Sequence, residues 1–273
     1  MRRKRVTITI RDDVLKKVDT IIDGKTIRNR SNAIETVLLE KFKNNVLQKA
    51  VILGASRAIK IGGKSISEVL LPVNGKPLIE RHLEKLSSVG VNEVIIATGK
   101  YFKEVKNVIG DGTEHGMMID YIDSKGTANI LNKAKTHLKS TFLVFNGDIY
   151  INNIDLEDIY NFHKSNTAMV TMAVATNEDP TKLGSVTMKG LRVSEFREKQ
   201  KDTSHQSHLV SAGLYLMEPE ICKMDLAPGS MLEHDVFPQL AKRGNINGYQ
   251  SEEIWIHLHD EQHLKTYRAK GLV

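Results

Sequence analysis

The spacing of apolar residues changes character twice along this chain. Val6, Ile8 and Ile10 alternate with Arg5, Thr7, Thr9 and Arg11, the period of two of a half-buried strand. Behind Asp12-Asp13, which can cap a helix, Val14, Leu15, Val18, Ile21 and Ile22 recur at helical spacing. Asp23-Gly24-Lys25 breaks the chain, and Ser31 can cap a second helix with an apolar face of Ala33, Ile34, Val37, Leu38 and Phe42. From Lys49 the pattern is that of a larger domain. Ala50–Gly54, Val94–Thr98 and Phe142–Asn146 read as buried strands, and Pro77–Leu86 as an amphipathic helix. Strands alternating with helices predict an α/β domain over 49–273, doubly wound on a mixed, mostly parallel sheet. A small strand-helix-helix domain over 1–46 precedes it. Ligands of such sheets bind at the carboxyl ends of the strands, which directs attention to the loops after Leu53 and Phe145.

Composition narrows the setting. A content of 40% hydrophobic and 26% charged residues is that of a soluble globular protein. No apolar run approaches the ~20 residues of a membrane span, and none follows the basic N-terminus as in a signal peptide. The single cysteine, Cys222, permits no internal disulfide and fits a reducing cytoplasm. Charge is unevenly spread. Residues 1–50 hold 13 Lys/Arg against 6 Asp/Glu, a net +7, while the other 223 residues hold 26 against 27. Such asymmetry points to a nucleic-acid-binding module at the N-terminus, or to a solubilising tail.

Strand, helix, turn and helix in about 45 residues cannot bury a core alone. Two copies that pair their strands would, and a two-stranded ribbon fits a DNA major groove. With Arg5-Val-Thr-Ile-Thr-Ile10 and Asn29-Arg-Ser-Asn-Ala-Ile34, the segment resembles the ribbon-helix-helix repressors. The resemblance implies a homodimer on double-stranded DNA, with Arg5, Thr7 and Thr9 facing bases, Lys4 adding phosphate attraction and Ser31 gripping a phosphate.

The larger domain resembles the sugar-nucleotide nucleotidyltransferases. The likeness runs from Ala50 to Gly271 and rests on Leu70-Leu-Pro-Val-Asn-Gly-Lys-Pro-Leu-Ile79, Gly126-Thr-Ala128, Asn146-Gly-Asp148, Phe196-Arg-Glu-Lys199, Ser211-Ala-Gly-Leu-Tyr215 and Leu232-Glu-His-Asp-Val-Phe-Pro238. It implies that a sugar phosphate or nucleotide sugar binds near Gly54, Gly126, Thr127, Asp148, Glu198, Lys199 and Gly213. Glu198 would hold sugar hydroxyls, Lys199 the phosphate, and Asp148 a Mg²⁺ ion.

Three departures from that pattern bear on catalysis. The glycine-rich loop after the first strand is reduced to Gly54-Ala-Ser-Arg-Ala-Ile-Lys60, with side chains where backbone must approach phosphates. Glu68 stands where the family has a catalytic Lys, and a carboxylate facing a triphosphate is repulsive. His257 replaces the second metal-binding Asp, although Mg²⁺ prefers oxygen ligands. The resulting expectation is a DNA-binding transcriptional regulator whose catalytically inactive transferase-like domain senses a sugar phosphate or nucleotide sugar. The alternative is an active sugar-phosphate nucleotidyltransferase with an accessory N-terminal module.

Other signals are weaker. Ala58-Ile-Lys-Ile-Gly-Gly-Lys-Ser65 has the outline of a phosphate loop, but it starts too far beyond its strand. His257, His259 and His263 with Asp260 could gather at a transition metal, although isolated histidines more often pack or hydrogen-bond. Cys222 has no CxxC partner and is assigned no chemistry.

Overall fold

The computed structural model describes residues 6–44, 47–54, 57–123, 126–177, 179–199, 207–250, 255–258 and 260–273. It divides into two units, 1–46 and 47–273. In the first, α1 spans Asp12–Thr20 and α2 spans Arg30–Asn44. Val18 and Ala33 are buried, and Arg30 clamps Asp19 through two hydrogen bonds of 2.7 and 2.9 Å. The expected caps fall elsewhere. Asp12 and Asp13 lie inside the first turn of α1, where they complement the helix dipole instead. Asn29, not Ser31, caps α2: its side-chain oxygen accepts the Asn32 amide at 2.9 Å, which leaves Ser31 exposed one residue into the helix. Asp23 organises the turn by accepting the amides of Lys25, Thr26 and Ile27, each at 2.8 Å. Residues 6–10 pair with no strand among the described residues, and Val6 and Ile8 are 75% and 56% exposed. Lys4 and Arg5 lie outside the described residues.

The second unit is built on nine strands: β1 Lys49–Leu53, β2 Glu93–Thr98, β3 Met118–Asp123, β4 Phe142–Asn146, β5 Val170–Thr176, β6 Gly184–Lys189, β7 Arg192–Glu198, β8 Leu209–Met217 and β9 Ile246–Gln250. Their order in the sheet is β5-β9-β7-β6-β8-β4-β1-β2-β3. The run β4-β1-β2-β3 is parallel throughout. Beyond it the expectation of a mostly parallel sheet fails. β8 runs antiparallel to β4, β6 pairs antiparallel with β7, and β5 also pairs with β8, so that half closes as a small barrel. Chain connection explains the change: β6 and β7 are joined by Gly190-Leu191 alone, and so short a turn can return only an antiparallel partner.

Helices cover both faces of the parallel run. Ala50 and Ile52 of β1 point to a cluster shared with Ile79, Leu83 and Leu86 on α3, Leu78–Ser88. Val51 and Leu53 point to the opposite cluster, with Ala128 and Leu131 on α4, Thr127–Ala134, and Phe237 further along the chain. These side chains are at most 7% exposed, and each fully buried aliphatic contributes about 1.5–3 kcal/mol by leaving water. No helix among the described residues is long and apolar enough to cross a membrane.

A polar knot closes the amino end of β4. His163 lies between the Thr171 hydroxyl at 2.7 Å and Glu218 at 3.1 Å, and Thr141 and Lys164 also donate to Glu218. The His163 hydrogen bond, then that of Thr141 and the charge of Lys164, outweigh burial and hold the Glu218 carboxyl down at about 2. A carboxyl lowered on folding stabilises above its unfolded value, about 4.3, and that contribution is lost as pH falls toward the folded value. Glu218→Gln should therefore lower the melting temperature at pH 7, and thermal melts should show the difference shrinking between pH 4 and pH 2.

Candidate active site

β2 lies on one side of β1 and β4 on the other, so the chain reverses its winding between β1 and β4. That is where an open α/β sheet leaves a crevice at the carboxyl ends of its strands. The crevice is a cleft of about 760 Å³ that runs from this corner over the barrel half. Gly54, Gly126, Thr127, Asp148, Glu198, Lys199 and Gly213, scattered over 160 residues of sequence, all line it.

At the corner two glycines from different strands meet. The Gly147 amide donates to the Leu53 carbonyl at 2.7 Å. A Cβ on Gly54 would stand 2.6 Å from Val69 Cγ1, and one on Gly147 2.5 Å from the same atom. Bare backbone is therefore obligatory there. The motif Asn146-Gly-Asp148 carries Gly147 in plain view, but its partnership with Gly54 depends on β1 lying beside β4.

Three charged groups surround that corner. Glu68 is 5% exposed on a short 3-10 turn over Glu68–Leu70, and Asp148 is likewise 5% exposed. Arg57 Nε lies 3.8 Å from Glu68 Oε2, and Arg57 Nη1 lies 3.8 Å from Asp148 Oδ2. The Arg57 side chain is 64% exposed and lines the cleft. Lys60, at the end of the same loop, is exposed on a hairpin of 58–61 with 64–67 and does not line the cleft. The same hairpin, turning at Gly62-Gly63 with φ +54° and +82°, disposes of the phosphate-loop outline, which requires a strand leading into a helix.

Asp148 is held from behind. His82 on α3 is fully buried, and its Nε2 donates to the Ile149 carbonyl at 2.7 Å. Burial pulls the His82 imidazole down to about 4, which keeps it neutral at physiological pH. On the other side Leu258 donates its amide to the Asp148 carbonyl at 2.8 Å, and this brings His257 into the cleft lining. His263 instead pairs with Asp260 at 3.0 Å at the start of the last helix, Glu261–Ala269. His259 lies outside the described residues. No group of three or more His, Cys, Asp or Glu able to hold a metal occurs among the described residues. Asp148 still fits a Mg²⁺ ion, since that ion takes one or two carboxylates and completes its shell with water and substrate phosphates.

At the other end of the cleft Glu198 closes β7, and the Lys199 ammonium lies 3.5 Å from its carboxylate. Burial raises the Glu198 carboxyl above its ordinary value, opposed by Lys199. Lys199 sits in the left-handed region at φ +44°, a strain often found at functional positions. Gly213 has φ +77° where the register of β8 against β5 slips, and a Cβ there would stand 2.9 Å from Asn146 Nδ2. Thr127 is committed to structure. It accepts the Leu232 amide at 2.9 Å and donates to Glu233 at 3.1 Å, stitching the start of α4 to a π-helical turn over Leu232–Val236. Glu233 and His234 on that turn also line the cleft, as do Lys100 and Asp123. Sequence reading missed these four, because Glu233 and His234 sit in a motif that reports fold rather than position, and Lys100 and Asp123 sit in no motif. Cys222 is buried, which pushes its thiol up to about 11 and leaves it inert.

Comparison with known proteins places this geometry. A family model, nucleotidyl transferase, matches residues 63–257. A mannose-1-phosphate guanylyltransferase of Mycobacterium tuberculosis is 29% identical over 221 residues, covering 76% of this chain and 59% of that protein. The bifunctional protein GlmU of Methanococcus aeolicus is 30% identical over 214 residues, covering 76% of this chain and 50% of its own. This chain therefore spans about half to three fifths of the length of these relatives. Among solved structures, HddC from Yersinia pseudotuberculosis superposes with a TM-score of 0.67 at 19% identity, over 82% of this chain and all of that one. These findings overturn the expectation of an inactive, DNA-binding regulator, because the family match and the relatives' names are those of transferases. Folding sets the Arg57 guanidinium 3.8 Å from both Glu68 and Asp148, a charge balance that no single position along the sequence carries.

Proposed function

The chain belongs to the nucleotidyl transferase family, and on that premise we propose that it joins a nucleoside triphosphate to a sugar phosphate and releases pyrophosphate. The observation that carries this reading is one cleft with a phosphate corner at its first end and the Glu198-Lys199 pair at its second. A sugar-phosphate oxygen attacks the α-phosphorus, and the bond from that phosphorus to the pyrophosphate oxygen breaks. Gly54 lines the end of the cleft assigned to the phosphate chain, and its missing Cβ leaves room for Val69. Lys199 offers a cation to the sugar phosphate, Glu198 accepts sugar hydroxyls, and Gly213 leaves room for the ring. Asp148 would hold Mg²⁺, which when bound neutralises charge developing on the phosphates. His82 and the Leu258 amide fix the segment that carries Asp148.

Pyrophosphate release tests this directly. GTP with mannose 1-phosphate is the first pair to assay, on the strength of the guanylyltransferase relatives. Other triphosphates and sugar 1-phosphates follow, with turnover expected at ~1–10³ per second for the true pair. A full panel without release would overturn the reading.

The N-terminal unit is proposed as an accessory dimerisation module. Val6 and Ile8 are exposed on a segment that pairs with no strand among the described residues, and pairing with a second copy would cover them. Ile8→Glu in the full chain should shift the sedimenting species toward monomer and leave turnover intact. An unchanged dimer would place the interface elsewhere.

A further inference from the structure

Among the described residues His234 and His257 are the histidines that line the cleft. His234 stands on the π-helical turn over Leu232–Val236, and His257 stands beside the segment that carries Asp148. His257 has no task yet in the proposed reaction. We propose, on the transferase reading above, that Asp148 and His257 hold the metal together, and that this carboxylate–imidazole pair makes Mn²⁺ rather than Mg²⁺ the ion the site prefers.

Strand pairing puts the two donors together. Ile256-His257 runs antiparallel to Ile149-Tyr150, with His257 opposite Ile149, the neighbour of Asp148. The bond from the Leu258 amide to the Asp148 carbonyl, 2.8 Å, extends that ladder by one step. Both residues line the same cleft. His82 adds a tie from α3 to the Ile149 carbonyl at 2.7 Å. The backbones that carry the donors are therefore joined before an ion arrives, as a site with few protein ligands requires.

Donor chemistry then decides between ions. Mg²⁺ is a hard cation that takes oxygen ligands and dehydrates reluctantly, so an imidazole nitrogen gives it little. A first-row transition ion gains from the same nitrogen. Charge points the same way. One guanidinium, that of Arg57, already lies 3.8 Å from Asp148 and 3.8 Å from Glu68, and an imidazole ligates in its neutral form, adding no negative charge for a hard ion. Mn²⁺ comes first in the series because it accepts an octahedral, oxygen-rich shell, which phosphate oxygens and water complete around two protein donors. Zn²⁺ instead favours tetrahedral sites with three or four protein ligands.

The test uses the full-length protein with Mn²⁺, alone and with inorganic pyrophosphate, which carries no nitrogen. Electron spin-echo spectroscopy of the bound Mn²⁺ should show coupling to an imidazole nitrogen. His257→Asp should abolish that coupling while Mn²⁺ still binds. Calorimetric titration should give the wild type an affinity for Mn²⁺ about tenfold or more above that for Mg²⁺. His257→Asp should lower this ratio by about tenfold, chiefly by tightening Mg²⁺, which a second carboxylate suits. His257→Ala should weaken Mn²⁺ by about tenfold or more and leave Mg²⁺ within about twofold. If His257→Ala does not fold, the nitrogen coupling of the wild type and its loss in His257→Asp decide the matter. Absence of that coupling in the wild type, or Mg²⁺ bound as tightly as Mn²⁺, overturns the proposal. Mn²⁺ held by His257 with no pyrophosphate release from the full panel of triphosphates and sugar 1-phosphates would sink the transferase reading alone. Release supported equally by both ions, without nitrogen coupling, would sink this inference alone.

Discussion

Asp148→Asn is expected to reduce nucleotidyl transfer on the order of 10²–10³-fold while the protein stays folded. The residue is 5% exposed, and its carbonyl already accepts the Leu258 amide at 2.8 Å. Asparagine keeps the shape and that backbone bond. What it removes is the negative oxygen that faces Arg57 at 3.8 Å and would hold Mg²⁺ among the phosphates. The loss should fall mainly on kcat, because charge on the transferring phosphate is greatest in the transition state. Steady-state pyrophosphate release over a range of Mg²⁺ concentration checks this. A variant that needs more Mg²⁺ but regains the wild-type rate would show Asp148 to be an affinity residue, and a variant with unchanged kinetics would remove it from the site.

Gly126→Ala should be the most damaging small substitution in the cleft. Gly126 has φ +88°, a conformation L-residues rarely adopt. Its added Cβ would stand 2.4 Å from two backbone oxygens, those of Gly229 and Ser230. Neither can give way cheaply, because the Ser230 carbonyl also accepts the Ala128 amide at 3.1 Å and so pins the first turn of α4. A cost of about 3 kcal/mol or more follows, which for a domain of this size lowers the melting temperature by roughly 6–12 °C. Gly116→Ala is the control. Gly116 also has positive φ, at +67°, but nothing lies within 4 Å of its added Cβ. It should lose about 1 kcal/mol. Equal losses in differential scanning calorimetry would mean that backbone conformation, not the collision with 229–230, governs both sites.

Much of the fold was legible because burial on both sides leaves a direct trace in sequence. The strand expected at Phe142–Asn146 has those limits, and Ala50–Gly54 and Val94–Thr98 lie within a residue of β1 and β2. Each is flanked by helices and therefore reads as an unbroken apolar run. The barrel half was not legible. β6 and β7 mix Ser, Thr, Lys, Arg and Glu with their apolar residues, since one face is only partly covered, and no helix separates them to announce a parallel partner. In the N-terminal unit two helices stand where the apolar spacing puts them, but α1 begins at Asp12 and ends before Ile21 and Ile22, and α2 is capped by Asn29 rather than Ser31. Asn29 and Ser31 are both good capping types, and only the observed hydrogen bond to Asn32 decides between them.

Sequence by itself determined the family of the larger unit and several residues of its cleft. Glu198, Lys199, Gly213, Gly126 and Asp148 sit in short contiguous motifs, and local strand ends and turns present them to one side. Tertiary structure alone decided how the catalytic departures balance. Glu68 in place of lysine reads as repulsion when taken as a single position, yet the fold sets a guanidinium 3.8 Å from it and 3.8 Å from Asp148. Electrostatic and steric terms depend on distance through space. Residues 57 and 68 meet across the hairpin of 58–61 with 64–67, and residue 148 joins them because β1 lies beside β4 in the sheet.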